Sequence, residues 1–111
     1  MAETKRQAKR DATRQVEPVF GLDEVAEAIL ALKTRDEVRR FLRDLCTLTE
    51  LEALAHRWQI AQLLDQGRLS YVEIADEVGG STATVTRVAQ WLRHGAGGYR
   101  LALDRLKRKS A

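Results

Sequence analysis

Three times in this chain a hydroxyl residue is followed three positions later by glutamate: Thr34-Arg-Asp-Glu37, Thr47-Leu-Thr-Glu50 and Ser70-Tyr-Val-Glu73. In such a capping box the hydroxyl accepts a hydrogen bond from the third helical backbone N–H while the glutamate reaches back to the cap's own N–H, so each box marks a helix start. Asp23 as an earlier cap, Ser81 as a later one, and Gly67, Gly79 and Gly95 as stops complete the punctuation. The pattern predicts six helices, near residues 22–33, 35–46, 48–66, 71–78, 82–94 and 98–109. One proline, 5% aromatic residues and a wealth of Leu, Ala, Glu and Arg agree with an all-α chain. With 44% hydrophobic and 32% charged residues it reads as soluble and globular rather than disordered.

A domain of 111 residues hides only about two-thirds of its unfolded surface, so its own core is modest. The third and longest helix is apolar on more than one side. Leu51, Leu54, Ala55, Trp58, Ala61 and Leu64 recur at three- and four-residue steps, and Leu48, Ile60 and Leu63 add a second strip. Five short neighbours give such a helix too little cover, which predicts a homodimer sharing this core. Residues 1–19 lack core-facing periodicity and are set off by Pro18, so they are expected to form a flexible basic arm ahead of a single domain over 20–111.

Charge is unevenly spread. Residues 1–20 hold five Lys/Arg against three acids, residues 87–111 seven against one, and residues 21–86 seven against twelve. Basic ends around an acidic middle suit a polyanion, although basic tails also serve solubility alone. The lone Cys46 has no disulfide partner and is expected to be a reduced residue on a helix face. No apolar signal region opens the chain and no run approaches the roughly 20 residues of a membrane span, so a cytoplasmic protein is expected.

Residues 70–94 are the most informative. Ala75, Gly79 four residues later and Val85 six after that have the spacing of a helix-turn-helix. Ala75 lets the second helix cross closely, Gly79 can take the positive φ of a sharp turn, and Ile74, Val78, Val85 and Leu92 are expected to bury between the helices and the body. An ordinary helical hairpin would use similar residues; the hydroxyl-rich start of the second helix favours nucleic acid. With Val85, Val88 or Ala89, and Leu92 inward, Thr82, Ala83, Thr86, Gln90 and Arg93 point outward. Thr and Ala can touch thymine methyls in a major groove, hydroxyls can donate or accept, and Ser81 with the free N–H groups of the first turn would lie near phosphate. Glu73, Asp76 and Glu77 on the preceding helix count against phosphate contact there.

"DLCTLTELEALAHRW", "LSYVEIADEVGGSTATVTRVAQWL" and "HGAGGYRLALDRL" together resemble the Trp-repressor-like proteins, more closely their YerC/YecD group, over residues 22 to about 107. The resemblance implies an intertwined homodimer with two recognition helices set for successive major grooves of double-stranded DNA, about 34 Å apart. It places base-facing positions on Thr82, Ala83 and Thr86, and a ligand pocket on Thr47, Arg57, Thr84 and Arg87, whose two arginine positions sandwich the tryptophan corepressor in Trp repressor. Two pocket positions depart: the family's glycine corresponds to Val88 and its serine to Trp91. Val88 adds bulk where the ring would lie, and Trp91, one turn beyond Arg87, can offer the arginines an indole of its own. The pocket is then self-filled and DNA binding needs no L-tryptophan; alternatively Val88 and Trp91 are core residues, and Arg57 and Arg87 are structural.

The candidate DNA-contacting set is therefore Ser81, Thr82, Ala83, Thr84, Thr86, Arg87, Gln90 and Arg93, and the candidate pocket is Thr47, Arg57, Thr84, Arg87, Val88 and Trp91. Arg93, Arg100, Arg105, Lys107, Arg108 and Lys109 are candidates for phosphate contacts, and Lys5, Arg6, Lys9 and Arg10 of the arm for the neighbouring groove. No paired acid and base, activated nucleophile, phosphate loop or metal set argues for an enzyme, and His56 and His94 stand apart on different helices. A sequence-specific regulator, most simply a repressor, is expected. The rivals are a protein-interaction module on the same fold and a repressor gated by an amino acid.

Overall fold

The computed structural model describes residues 16–110, over which it contains six helices and no strand. They are α1 (Leu22–Ala31), α2 (Arg35–Leu45), α3 (Leu48–Gln66), α4 (Tyr71–Val78), α5 (Thr82–His94) and α6 (Gly98–Ser110). The arm residues Lys5, Arg6, Lys9 and Arg10 lie outside the described residues. The chain divides into two compact units, Glu17–Ala55 and the residues from His56 onward, the start of α3 belonging to the first.

Local capping sets the helix starts. Thr47 and Ser70 make reciprocal boxes: Glu50 N donates to Thr47 Oγ1 at 3.1 Å and Thr47 N to Glu50 Oε1 at 2.8 Å, with the same pair of distances between Ser70 and Glu73. These backbone and hydroxyl donors, the backbone ones foremost, hold both glutamate carboxyls below their ordinary pKa. At Thr34 the box is displaced. Thr34 Oγ1 accepts from Glu37 N at 3.1 Å, but the Glu37 carboxylate takes the N–H of Lys33, at 2.7 Å.

That displaced box corrects the end of the first helix, which stops at Ala31 rather than residue 33 because Leu32 is already extended on the way to the Thr34 cap. Asp23 is not a cap. Gly21 holds that position without a side-chain bond, and Asp23 sits in the first turn, where a carboxylate favours the N-terminal end of the helix dipole. Cys46 likewise follows α2 as its C-terminal cap, half-buried and unpaired to another thiol, instead of standing on a helix face.

Within Glu17–Ala55 no side chain is fully buried. α2 is nonetheless strongly two-sided. Val38, Phe41 and Leu42 are partly covered on one side, and Arg39, Arg40, Arg43 and Asp44 are exposed on the other. In the second unit Ile60 and Ala61 of α3, Ile74 and Ala75 of α4, and Val85 and Val88 of α5 form one buried cluster, ringed by Trp58, Leu63, Leu64, Leu69, Tyr71, Val78 and Tyr99. Ile74 and Val85 are fully excluded from solvent, while Val78 and Leu92, also expected inside, are half-buried. α6 adds Leu103, 5% exposed.

Candidate nucleic-acid interface

α4 and α5 are joined through Gly79, Gly80 and Ser81 as a helix-turn-helix. Gly79 takes φ 73°, its N–H bonds to Ala75 O, and Gly80 N also reaches Ala75 O at 2.9 Å, so the turn closes tightly on the residue whose smallness permits it. Ala75 is 4% exposed. Ser81 then caps α5: its Oγ accepts from Thr84 N at 3.2 Å and lies 3.1 Å from Thr84 Oγ1. A second hydroxyl also turns inward on the helix, Thr86 Oγ1 donating to Thr82 O at 3.0 Å.

Val85, Val88 and Ala89 seat α5 in the core. Ser81, Thr82, Ala83, Thr86, Arg87, Gln90 and Arg93 are exposed, and Thr84 is half-buried behind its bond to Ser81. Arg93, at the far end of the helix, donates to the Tyr71 hydroxyl at 3.3 Å and so bridges to the start of α4. Glu73, Asp76 and Glu77 of α4 are exposed beside it in sequence.

The basic residues of α6 divide into two groups. Arg100 Nη2 lies 2.9 Å from Asp65 Oδ1 and 2.9 Å from Asp104 Oδ1, and Lys107 Nζ lies 2.7 Å from Asp65 Oδ2. Asp65, with its side chain 11% exposed, thus anchors α6 to the end of α3. Its pKa is lowered, first by the Lys107 hydrogen bond; burial opposes this and Arg100 adds to the lowering. Arg105, Arg108 and Lys109 stand exposed. Arg100 and Lys107, expected to contact phosphate, are both ion-paired within the protein. No local signal marked Asp65, because its partners Arg100 and Lys107 lie far along the chain.

The residues read as a ligand pocket lie on different elements. Val88, 2% exposed, belongs to the core, whereas Trp91 is 52% exposed. Arg57, Trp91, Ala96, Gly98 and Tyr99 border a cleft of about 470 Å³. Thr84 and Arg87 are not among its walls, and Thr47 caps α3 in the other unit. Tyr99 stacks on Trp58 with centroids 6.3 Å apart, and burial raises its phenol pKa against the lowering charge of Arg57. Gly95 leaves Trp91 its place: a Cβ there would meet the Trp91 carbonyl oxygen and lie 2.6 Å from ring atom Cε3. Among the described residues no His, Cys, Asp and Glu cluster could hold a metal, and no helix is long and apolar enough to cross a membrane.

The model of the Trp repressor protein family matches residues 21–107. The uncharacterized protein YerC of Bacillus subtilis (strain 168) is 44% identical over 86 residues, which cover 78% of this chain and 82% of that protein. A crystal structure of a candidate Trp repressor from Staphylococcus aureus superposes with a TM-score of 0.74 at 41% identity, covering 81% of this chain and 89% of its own. A TrpR-like protein from Eubacterium eligens ATCC 27750 gives 0.74 at 37% identity, over 80% and 91% of the two chains.

Proposed function

The chain belongs to the Trp repressor family, and on that footing we propose that it is a DNA-binding transcriptional regulator, a repressor, that works in the cytoplasm as a homodimer and inserts α5 into the major groove of double-stranded DNA. The observation that carries this reading is the contrast across α5. Val85, Val88 and Ala89 fix one side in the core while Thr82, Ala83, Thr86, Arg87, Gln90 and Arg93 are exposed on the rest, Arg93 with a bond to the Tyr71 hydroxyl. A rigidly seated helix with small polar side chains outward can enter a groove as a unit and bring them to base edges. Ser81, Thr84 and the first-turn N–H groups then approach phosphate, joined by Arg105, Arg108 and Lys109 and by the arm over residues 1–19 ahead of the domain.

Self-association answers the bare first unit. Phe20 is fully exposed, Leu30 83% and Leu48 59%, an apolar surface that a second copy can cover. Operation without tryptophan is supported by Val88, whose side chain fills core volume, and by Trp91, a bulky residue on the cleft. The same cleft, with the Arg57 cation and the Trp91 and Tyr99 rings around it, favours a second reading in which an amino acid gates binding.

Affinity for duplex DNA measured across a salt series, with and without L-tryptophan, tests both. A steep fall with rising salt that tryptophan leaves unchanged is expected, because Lys and Arg contacts release counterions. Dependence on tryptophan transfers the weight to the gated reading. Salt-insensitive or absent binding leaves the protein-interaction module.

A further inference from the structure

The basic side chains of α5 and α6 differ in what holds them. Asp65 neutralises Arg100 and Lys107 within the protein. Arg93 is held by an uncharged group: its Nη2 donates to the Tyr71 hydroxyl at 3.3 Å, and among the described residues it makes no ion pair. The acids of α4 do not take it. Glu73 keeps its carboxylate on Ser70 N at 2.8 Å, and Asp76 and Glu77 follow Tyr71 by more than one turn. The hydroxyl stands on a fixed base. Tyr71 is the first residue of α4, directly after the Ser70 cap, and its half-buried side chain packs against the buried cluster that holds Ile74 and Val85. Arg93 leaves the last turn of α5, one turn after Val88 and Ala89 enter the core. The bond therefore joins the start of the first helix of the motif to the end of the second.

At 3.3 Å and on the surface, such a bond is long and adds little to stability; its effect is to place the guanidinium. Accepting from Arg93 leaves Tyr71 its own O–H proton, and Arg93 keeps four of its five N–H donors. A hydrogen bond from a cation also polarises the phenol and makes it a stronger donor. Donors from two adjacent side chains around an unneutralised positive charge suit the oxygens of a phosphodiester, which only accept. Resting on the DNA-binding reading above, we propose that Tyr71 and Arg93 form a composite phosphate clamp, in which both donate to one phosphodiester group of the duplex and the phenol fixes the guanidinium for that contact. The clamp ties the start of α4 and the end of α5 to one point of the DNA backbone, which orients the motif without reading sequence.

The test uses the full-length protein and the tightest duplex recovered from a random pool. Methylphosphonate replaces one phosphate at a time, which removes a charge and leaves every base untouched. One position per half-site is expected to weaken binding about tenfold through the loss of charge-assisted bonds to this pair. Arg93→Ala abolishes the penalty at that position and lowers the slope of log affinity against log salt by about 0.9 per chain. Arg93→Lys, which keeps the charge, restores the slope. Tyr71→Phe, which removes one oxygen, reduces the penalty at the same position, leaves the penalties at other phosphates intact and keeps the unfolding midpoint of the unaltered protein. The double variant Tyr71→Phe, Arg93→Ala binds more tightly than the sum of the two single losses predicts, because the two side chains act on one phosphate. A methylphosphonate pattern unchanged by Tyr71→Phe overturns the proposal, whether or not that variant is less stable, as do single losses that add in full or that map to different phosphates. A protein that binds no duplex at low salt overturns the DNA-binding reading and this proposal with it, whereas tight binding with an unchanged pattern in both single variants overturns this proposal alone.

Discussion

Gly79 and Gly95 end successive helices for different physical reasons. At Gly79 there is open space around a hypothetical Cβ, and the constraint is the backbone, at φ 73°. At Gly95 the backbone is ordinary, at φ −84°, and the constraint is space taken by Trp91. Gly79→Ala is therefore expected to cost about 1–2 kcal/mol, the price of a left-handed conformation for a residue with a Cβ. Gly95→Ala is expected to cost about 1–3 kcal/mol through overpacking. Denaturant unfolding measures both, and only the second should also shift the tryptophan fluorescence of the folded state, because only it displaces an indole. The sequence made both glycines legible as stops. It could not distinguish them, since the difference lies in where Trp91 sits, and the periodicity that buries Val85, Val88 and Ala89 leaves position 91 at the margin of that face.

The same limit holds for helices. The boxes at Thr47 and Ser70 were readable because every partner lies within three residues, and α3, α4 and α5 keep the bounds that the sequence predicts. Helix α1 starts at Leu22 as the sequence predicts, but Gly21 rather than Asp23 is its cap, and the extended Leu32 replaces its expected last turn. How α6 is held was out of reach, because Asp65 and Arg100 are 35 residues apart. Asp65→Asn is expected to destabilise the protein by roughly 1 kcal/mol near neutrality, as a charge-assisted network loses its anion. Its pH dependence has a definite sign. The pKa of Asp65 is lowered in the folded chain, so its contribution is complete above the unfolded carboxyl pKa, near 4, and disappears as pH falls through the lower folded value. Thermal unfolding from pH 7 to pH 2 should show a shallower acid limb in Asp65→Asn than in the unaltered protein.

For the whole molecule, the helix-turn-helix and its outward stripe were legible from Ala75, Gly79, Val85 and the hydroxyls between them, because each residue type has one local task there. The candidate pocket was less so, because it was assembled from residues on different elements: Val88 went to the core while Trp91, Arg57 and Tyr99 surround a cleft. Exposed Phe20, Leu30 and Leu48 belong to the question of assembly. Sedimentation equilibrium at micromolar concentration is expected to give twice the chain mass of 12.5 kDa, and a stable single-chain particle would remove the homodimer. The central claim, a two-fold DNA reader built on α5, is tested most directly by selecting bound duplexes from a random pool. The expected winner is a palindrome whose half-sites lie one helical turn, about 34 Å, apart. A pool that yields no enriched sequence, or enriched single sites without two-fold symmetry, contradicts it.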